Sequence, residues 1–234
     1  MNEYTIGVKE LDDAIEGIRK GSNIMLIGPP MSGKEAILYQ ILYHGAARNE
    51  NAIIMVTTSE SATHILERFK ENRLTDILSR IGIVDCITKK VEGDASDNPN
   101  IKFASSPVDL TGIGVRISQF FEELFIKKNI SEIQIYVNSL STILMYSNIQ
   151  TVYRFLHVFT GRVKATGGLG MYVIESGMHE EQTVGILQHL FDGKIEIISE
   201  NDKNFIRITG FSSKPTPYFE YEVEGSNVRI VGRK

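Results

Sequence analysis

Five short apolar runs, separated by longer stretches of helical periodicity, limit what this 234-residue chain can fold into. The runs are Asn23–Ile27, Ile53–Thr57, Gly82–Ile87, Ile133–Val137 and Met171–Ile174. They are apolar almost throughout rather than alternating, the pattern of a parallel strand covered on both faces. Between them, Ile113, Ile117, Phe120, Phe121, Leu124 and Phe125 fall on one helical face. Farther on, Ile149, Val152, Leu156, Phe159 and Val163 step by threes and fours. Strand and helix in repeated alternation predict an α/β domain with a parallel sheet and right-handed crossovers. The runs Lys194–Ser199, Phe205–Thr209, Tyr218–Val223 and Asn227–Val231 then alternate more strictly, predicting a C-terminal antiparallel extension. With no linker, repeat or low-complexity tract, residues 1–234 read as a single domain. Glu92–Asn100, rich in Asp, Gly and Pro, reads as a mobile surface loop.

Composition removes several function classes. The hydrophobic fraction of 42% is enough for a full core and excludes disorder as the main state. Net charge is 25 − 29 = −4, which weighs against a general nucleic-acid coat protein. The single cysteine, Cys86, cannot form an internal disulfide and reads as a small core residue. The longest uncharged run, from Ile133 to Tyr153, has the length of a membrane span. Gln134, Asn138, Ser139, Ser147 and Gln150 interrupt it. The acidic N-terminal stretch lacks the basic start of a signal peptide, so the expectation is a soluble cytoplasmic protein without membrane contact.

The chemistry concentrates in Gly28-Pro29-Pro30-Met31-Ser32-Gly33-Lys34-Glu35, which follows the first run and opens a helix near Lys34. A glycine, four residues and Gly-Lys in a strand–loop–helix setting spell a phosphate-binding loop. Its backbone N–H groups cradle a phosphate, the helix dipole adds positive potential, and the lysine reaches the outer phosphates. All eight residues are therefore candidate nucleotide-binding positions. The eighth departs from the pattern, because Glu35 replaces the Ser or Thr whose hydroxyl ligates Mg²⁺. A carboxylate can bind Mg²⁺ but brings negative charge toward the phosphates. Three readings stay open: a metal site rebuilt around Glu35, nucleotide binding without metal, or an empty loop kept for structure.

Together with the preceding IGVKELDDAIEGIRKGSNIMLIG, this loop resembles the start of the KaiC-like branch of the RecA/RadA superfamily. The likeness continues through VTTSESATHILERF (56–69), IGIVDCITK (81–89), IQIYVNSLSTIL (133–144) and GMHEEQTVGILQHLFDGKIEI (177–197). SSPVDLTGIGVRISQFFEE (105–123) is similar to small archaeal RadA-paralog proteins of that branch. The resemblance implies one RecA-like P-loop NTPase domain, ATP and Mg²⁺ as cofactors, and assembly as a homo-oligomer or with a partner ATPase or recombinase-family protein. Carried over by position, the Walker B carboxylate falls on Asn138, a neutral amide, and the catalytic glutamate pair falls on Ser59 and Glu60. Glu60 would orient a water or serve as a charge at the start of the following helix. Glu35 and Asn138 are expected to face each other across the metal position. Moving one carboxylate from strand to loop would conserve charge there.

Other candidates read as structural. His44, His64, His157, His179 and His189 show no metal-ligand spacing. Ser139 and Ser141 follow the Walker B strand and read as core hydroxyls or phosphate contacts. In recombinases, loops at the level of Gly167–Gly170 line DNA, and Arg154, Arg162 and Lys164 precede this one; a helix end with a Gly-rich cap is the alternative. Phe219 and Tyr221 serve a buried face or a partner contact. Two function classes follow. One is a regulatory nucleotide sensor or scaffold with weak or lost hydrolysis. The other is an active ATPase, a RadA paralog acting in recombination or a KaiC-like signalling protein.

Overall fold

A computed structural model describes residues 3–48, 51–72, 74–88, 96–225 and 227–234. β1 (Glu3–Tyr4) and β2 (Ile18–Arg19) form a small antiparallel ladder. All other strands join one ten-stranded sheet. In chain order they are β3 (Ser22–Gly28), β4 (Ala52–Thr57), β5 (Ile81–Asp85), β6 (Ile101–Phe103), β7 (Ile133–Val137), β8 (Leu169–Glu175), β9 (Gly193–Glu200), β10 (Lys203–Thr209), β11 (Phe219–Glu224) and β12 (Asn227–Arg233). Their spatial order is β12-β11-β10-β9-β3-β8-β7-β4-β5-β6. From β9 to β6 every pairing is parallel, and β10, β11 and β12 continue antiparallel.

The unbroken apolar runs are explained by the two faces. Along β3, Ile24 and Leu26 enter one core while Met25 enters the other. Along β4, Ile53 and Met55 take the first side, and Ile54 and Val56 the second. The first core is closed by Ile37, Leu38, Ile41 and Leu42 of the helix Lys34–Arg48 and by Ile65 and Phe69 of Ala62–Glu71. The second is closed by the helices Leu110–Phe121, Leu140–Tyr146, Ile149–Thr166 and Glu181–Gln188. Phe120, fully buried, lies so close to Gly82 that a Cβ there would sit 2.4 Å from its ring. That contact accounts for a glycine inside a parallel strand.

Chain punctuation is chemical. Ser61, Asp109, Ser139 and Asn148 each accept a backbone N–H three residues on, capping the helices that follow them. Gly167, at φ +64°, ends the helix Ile149–Thr166. Two expectations need adjusting. The run Gly82–Ile87 shortens to Ile81–Asp85, because Asp85 Oδ1 accepts the N–H groups of Ile87 and Thr88 and turns the chain out of the ladder. The expected loop Glu92–Asn100 lies partly outside the described residues. Its later part supports a strand too short to show in the pattern: Asp97 and Asn98 accept the N–H groups of Phe103 and Ile101, blunting the sheet edge at β6.

In the antiparallel extension, Ile195, Ile197, Ile206, Ile208, Phe219 and Tyr221 face the first core. On the opposite face Glu196 pairs with Lys194 and Arg207 and accepts from Tyr218 Oη at 2.7 Å. Burial alone would raise its carboxyl pKa, but hydrogen bonds from Lys194, Tyr218 and Arg207 outweigh burial and hold it down at about 2. A carboxyl depressed in the folded state stabilises above its ordinary value of 4.5, and that contribution is lost as pH falls toward about 2. Urea unfolding measured across this window is therefore expected to lose stability steeply, and Glu196→Gln to flatten that loss. An unchanged slope in the variant would contradict the assignment.

Candidate functional site

β3 delivers the chain at Gly28 to a loop that the helix Lys34–Arg48 closes. The loop leaves no room for side chains at its two glycines. A Cβ on Gly28 would lie 2.8 Å from Ile197 Cβ, and one on Gly33, at φ +78°, would lie 2.8 Å from Val223 Cγ2. Met31 occupies the loop tip at φ +58° and is 97% exposed. A left-handed non-glycine residue costs roughly 1–2 kcal/mol, so this tip is held against its own preference. Ser32 is buried, and its Oγ has no hydrogen-bond partner among the described residues. Tyr221 Oη donates to the Ser32 carbonyl, fixing β11 over the loop. Burial, and then the charge of Glu35, raise the Tyr221 pKa, so the phenol stays a donor.

Lys34 is 1% exposed. Its Nζ donates to the Pro29 carbonyl at 3.2 Å and lies 3.3 Å from Glu35 Oε1 and 3.4 Å from Glu175 Oε1. Glu175 ends β8 directly opposite Gly28 in the parallel register, and its N–H donates to Ser141 Oγ at 2.8 Å. The lysine expected to meet phosphate is thus already flanked by two carboxylates of its own chain. One positive and two negative groups leave the immediate site with a formal charge of −1.

Asn138 follows β7 and is 8% exposed. Its Oδ1 accepts from Ser59 Oγ at 2.5 Å, and its Nδ2 donates to Glu60 Oε1 at 3.2 Å. Glu60 also accepts from Tyr39 Oη at 2.7 Å and forms a two-pronged pair with Arg68, whose Nη2 lies 2.9 Å from Oε2. Arg68 stacks over the Tyr39 ring at 4.5 Å. Burial, reinforced by the charge of Glu60, raises the Tyr39 pKa and keeps its phenol protonated as a donor. Ser61, not Glu60, caps the helix Ala62–Glu71. A cavity of about 480 Å³ runs beside this network, lined by Glu35, Tyr39, Arg68 and Glu71 among others.

All eight loop residues therefore lie at the carboxyl end of β3, with Asn138, Ser59 and Glu60 joined in one network. Glu35 pairs with Lys34, whereas Asn138 is held by Ser59 and Glu60. Among the described residues no group of three or more acids, histidines or cysteines is arranged to hold a metal ion. Sequence reasoning missed Glu175, Tyr39 and Arg68, and it placed Tyr221 on a buried face or partner contact without its bond to the loop. Glu175 was visible as the acid that ends an apolar run, but only the register with Gly28 gives it meaning.

The chain belongs to a family of unknown function (DUF7504), whose model matches residues 21–197. Comparison with curated proteins finds no match. Among solved structures the chain is similar to a KaiC-like protein from the hyperthermophilic archaeon Pyrococcus horikoshii OT3. The two share 15% sequence identity over 98% of each chain, with a TM-score of 0.69. At that identity the likeness establishes the fold, a RecA-like domain of the KaiC type. No described helix is long and apolar enough to cross a membrane.

Arg68→Ala is expected to leave Glu60 short of its cation in a site where the carboxylate is only 18% exposed. Charge-assisted bonds of this kind are worth about 1.5–3 kcal/mol, and that loss should appear in denaturant unfolding. A change below about 0.5 kcal/mol, within the range of an ordinary surface substitution, would show that the pair is not structural.

Proposed function

We propose that this chain is a KaiC/RadA-like P-loop protein with altered catalytic positions, acting as a regulatory nucleotide sensor or scaffold with weak or no ATP hydrolysis. The observation that carries this reading is the pairing of Lys34 with Glu35 and Glu175. An incoming phosphate must displace or lie beside two carboxylates. A like-charge contact at about 4 Å opposes it by ~4 kcal/mol at an effective dielectric of 20, and by less where solvent enters.

The loop itself fits an anion. The orphaned Ser32 hydroxyl and the N-terminus of a 15-residue helix supply donors that a phosphate needs. Lys34 and the loop N–H groups would hold it, and a bound nucleotide would supply the phosphoanhydride. The fit to Mg²⁺ is poor. The Walker B position is a neutral amide engaged with Ser59 and Glu60, and the loop offers a carboxylate that turns to lysine. Glu60 is also engaged on both oxygens, so orienting a water would require it to leave Arg68 or Tyr39. Regulation then runs through protein contacts, with a second copy or a partner ATPase of the same superfamily as the partner this reading favours.

Calorimetric titration with ATP is expected to show binding weaker than micromolar, unchanged by Mg²⁺, and no turnover. In the variant Glu35→Thr with Asn138→Asp, affinity in Mg²⁺ should rise at least about tenfold, or about 1.4 kcal/mol. Wild-type binding that tightens with Mg²⁺ and leads to hydrolysis would overturn the proposal.

A further inference from the structure

A second cavity, of about 430 Å³, opens at the carboxyl ends of four strands that are neighbours in the sheet, β7, β4, β5 and β6. Ligands of open α/β sheets bind at this end of the strands. Thr58 follows β4, Cys86 follows β5, Pro107 and Val108 follow β6, and Thr142 and Tyr146 belong to the helix after β7. The floor is closed, with Cys86 0% and Thr58 6% exposed. The mouth is apolar and open, with Val108 43% and Tyr146 70% exposed.

The lining specifies the chemistry. Among the described residues it holds no acid, lysine, arginine or histidine, and burial, with the nearby charges of Asp85 and Asp109, pushes the Cys86 thiol up, keeping it neutral. An anion would meet no cation among those residues and would face the charges of Asp85 and Asp109 while losing its hydration, so an uncharged ring is preferred over its carboxylate. Tyr146 and Pro107 offer flat faces for a ring, and the hydroxyls of Ser106 and Thr142 offer polar contacts. The cavity also abuts the carboxylate network. Thr58 Oγ1 donates to the Ser139 carbonyl at 2.9 Å, and beside that contact the next residue, Ser59, donates through Oγ to Oδ1 of Asn138, the residue before Ser139. Thr142 Oγ1 lies 3.0 Å from Ser139 Oγ. These contacts form a short ladder between the segments after β4 and β7, with the cavity on one side and Glu60 on the other.

We propose that this cavity binds a neutral aromatic small molecule and that its occupancy is felt at Asn138 through the Thr58–Ser139 rung. The inference does not require nucleotide binding at the loop.

The test uses the full chain with indole and indole-3-acetate as probes, read by saturation transfer and by amide shift mapping. Indole is expected to receive saturation and to shift Cys86, Val108 and the side-chain amide of Asn138. Indole-3-acetate, the same ring with a carboxylate, should bind at least about tenfold more weakly. Val108→Trp, which fills the mouth from an exposed position, should abolish binding. Val115→Trp, at a 50% exposed position on the helix Leu110–Phe121, should not. No transfer to indole at millimolar concentration, equal binding of the two probes, or binding indifferent to Val108→Trp would each overturn the site. An unmoved Asn138 amide on indole binding would overturn the coupling.

Discussion

The buried ammonium of Lys34 is the fixed point of this end of the sheet. A cation almost without solvent exposure is costly unless countercharge and hydrogen bonds surround it, and a helix N-terminus, itself positive, adds to that cost. The chain answers with its own groups: the Pro29 carbonyl, the Glu35 carboxylate from the following residue, and the Glu175 carboxylate from the strand next door. That last contact exists because β3 and β8 pair in a register placing Gly28 opposite Glu175. The parallel core, the loop geometry and the electrostatics of the site are therefore one arrangement.

A second set of contacts builds outward from it. Glu35 and Tyr39 lie four residues apart, on one face of the helix Lys34–Arg48. Tyr39 reaches Glu60, Glu60 holds Arg68 and Asn138, and Asn138 is fixed by its own N–H to the Val56 carbonyl of the adjacent strand. Tyr39, Glu60, Arg68 and Asn138 thus bond to one another. Buried polar networks that are satisfied favour a single arrangement, which would suit the contact-driven regulation proposed above.

The sheet was legible in the sequence because its signal is redundant. Runs such as Ala52–Thr57, buried at every position, demand cover on both faces, and only a parallel α/β core provides it. The antiparallel extension showed equally well through alternation, with Ile195 and Ile197 inward and Glu196 outward. The edge strand Ile101–Phe103 did not show, since three residues carry no period and Asp97 and Asn98 define it from outside. At the site, the loop residues were readable because their spacing is local. Glu175, Arg68 and Tyr221 were not, because each reaches the site through sheet register or helix packing that no local spacing encodes.

The central claim is that Glu35 and Glu175 neutralise Lys34 and so set the anion affinity of the loop. Titration of tripolyphosphate, without metal, into the wild-type chain and into Glu35→Gln with Glu175→Gln tests it most directly. Circular dichroism of both proteins confirms that each is folded. The double variant is predicted to bind at least about tenfold more tightly, since two repelling charges are gone while Lys34 and the loop N–H groups remain. Equal or weaker binding by a folded double variant would contradict the account.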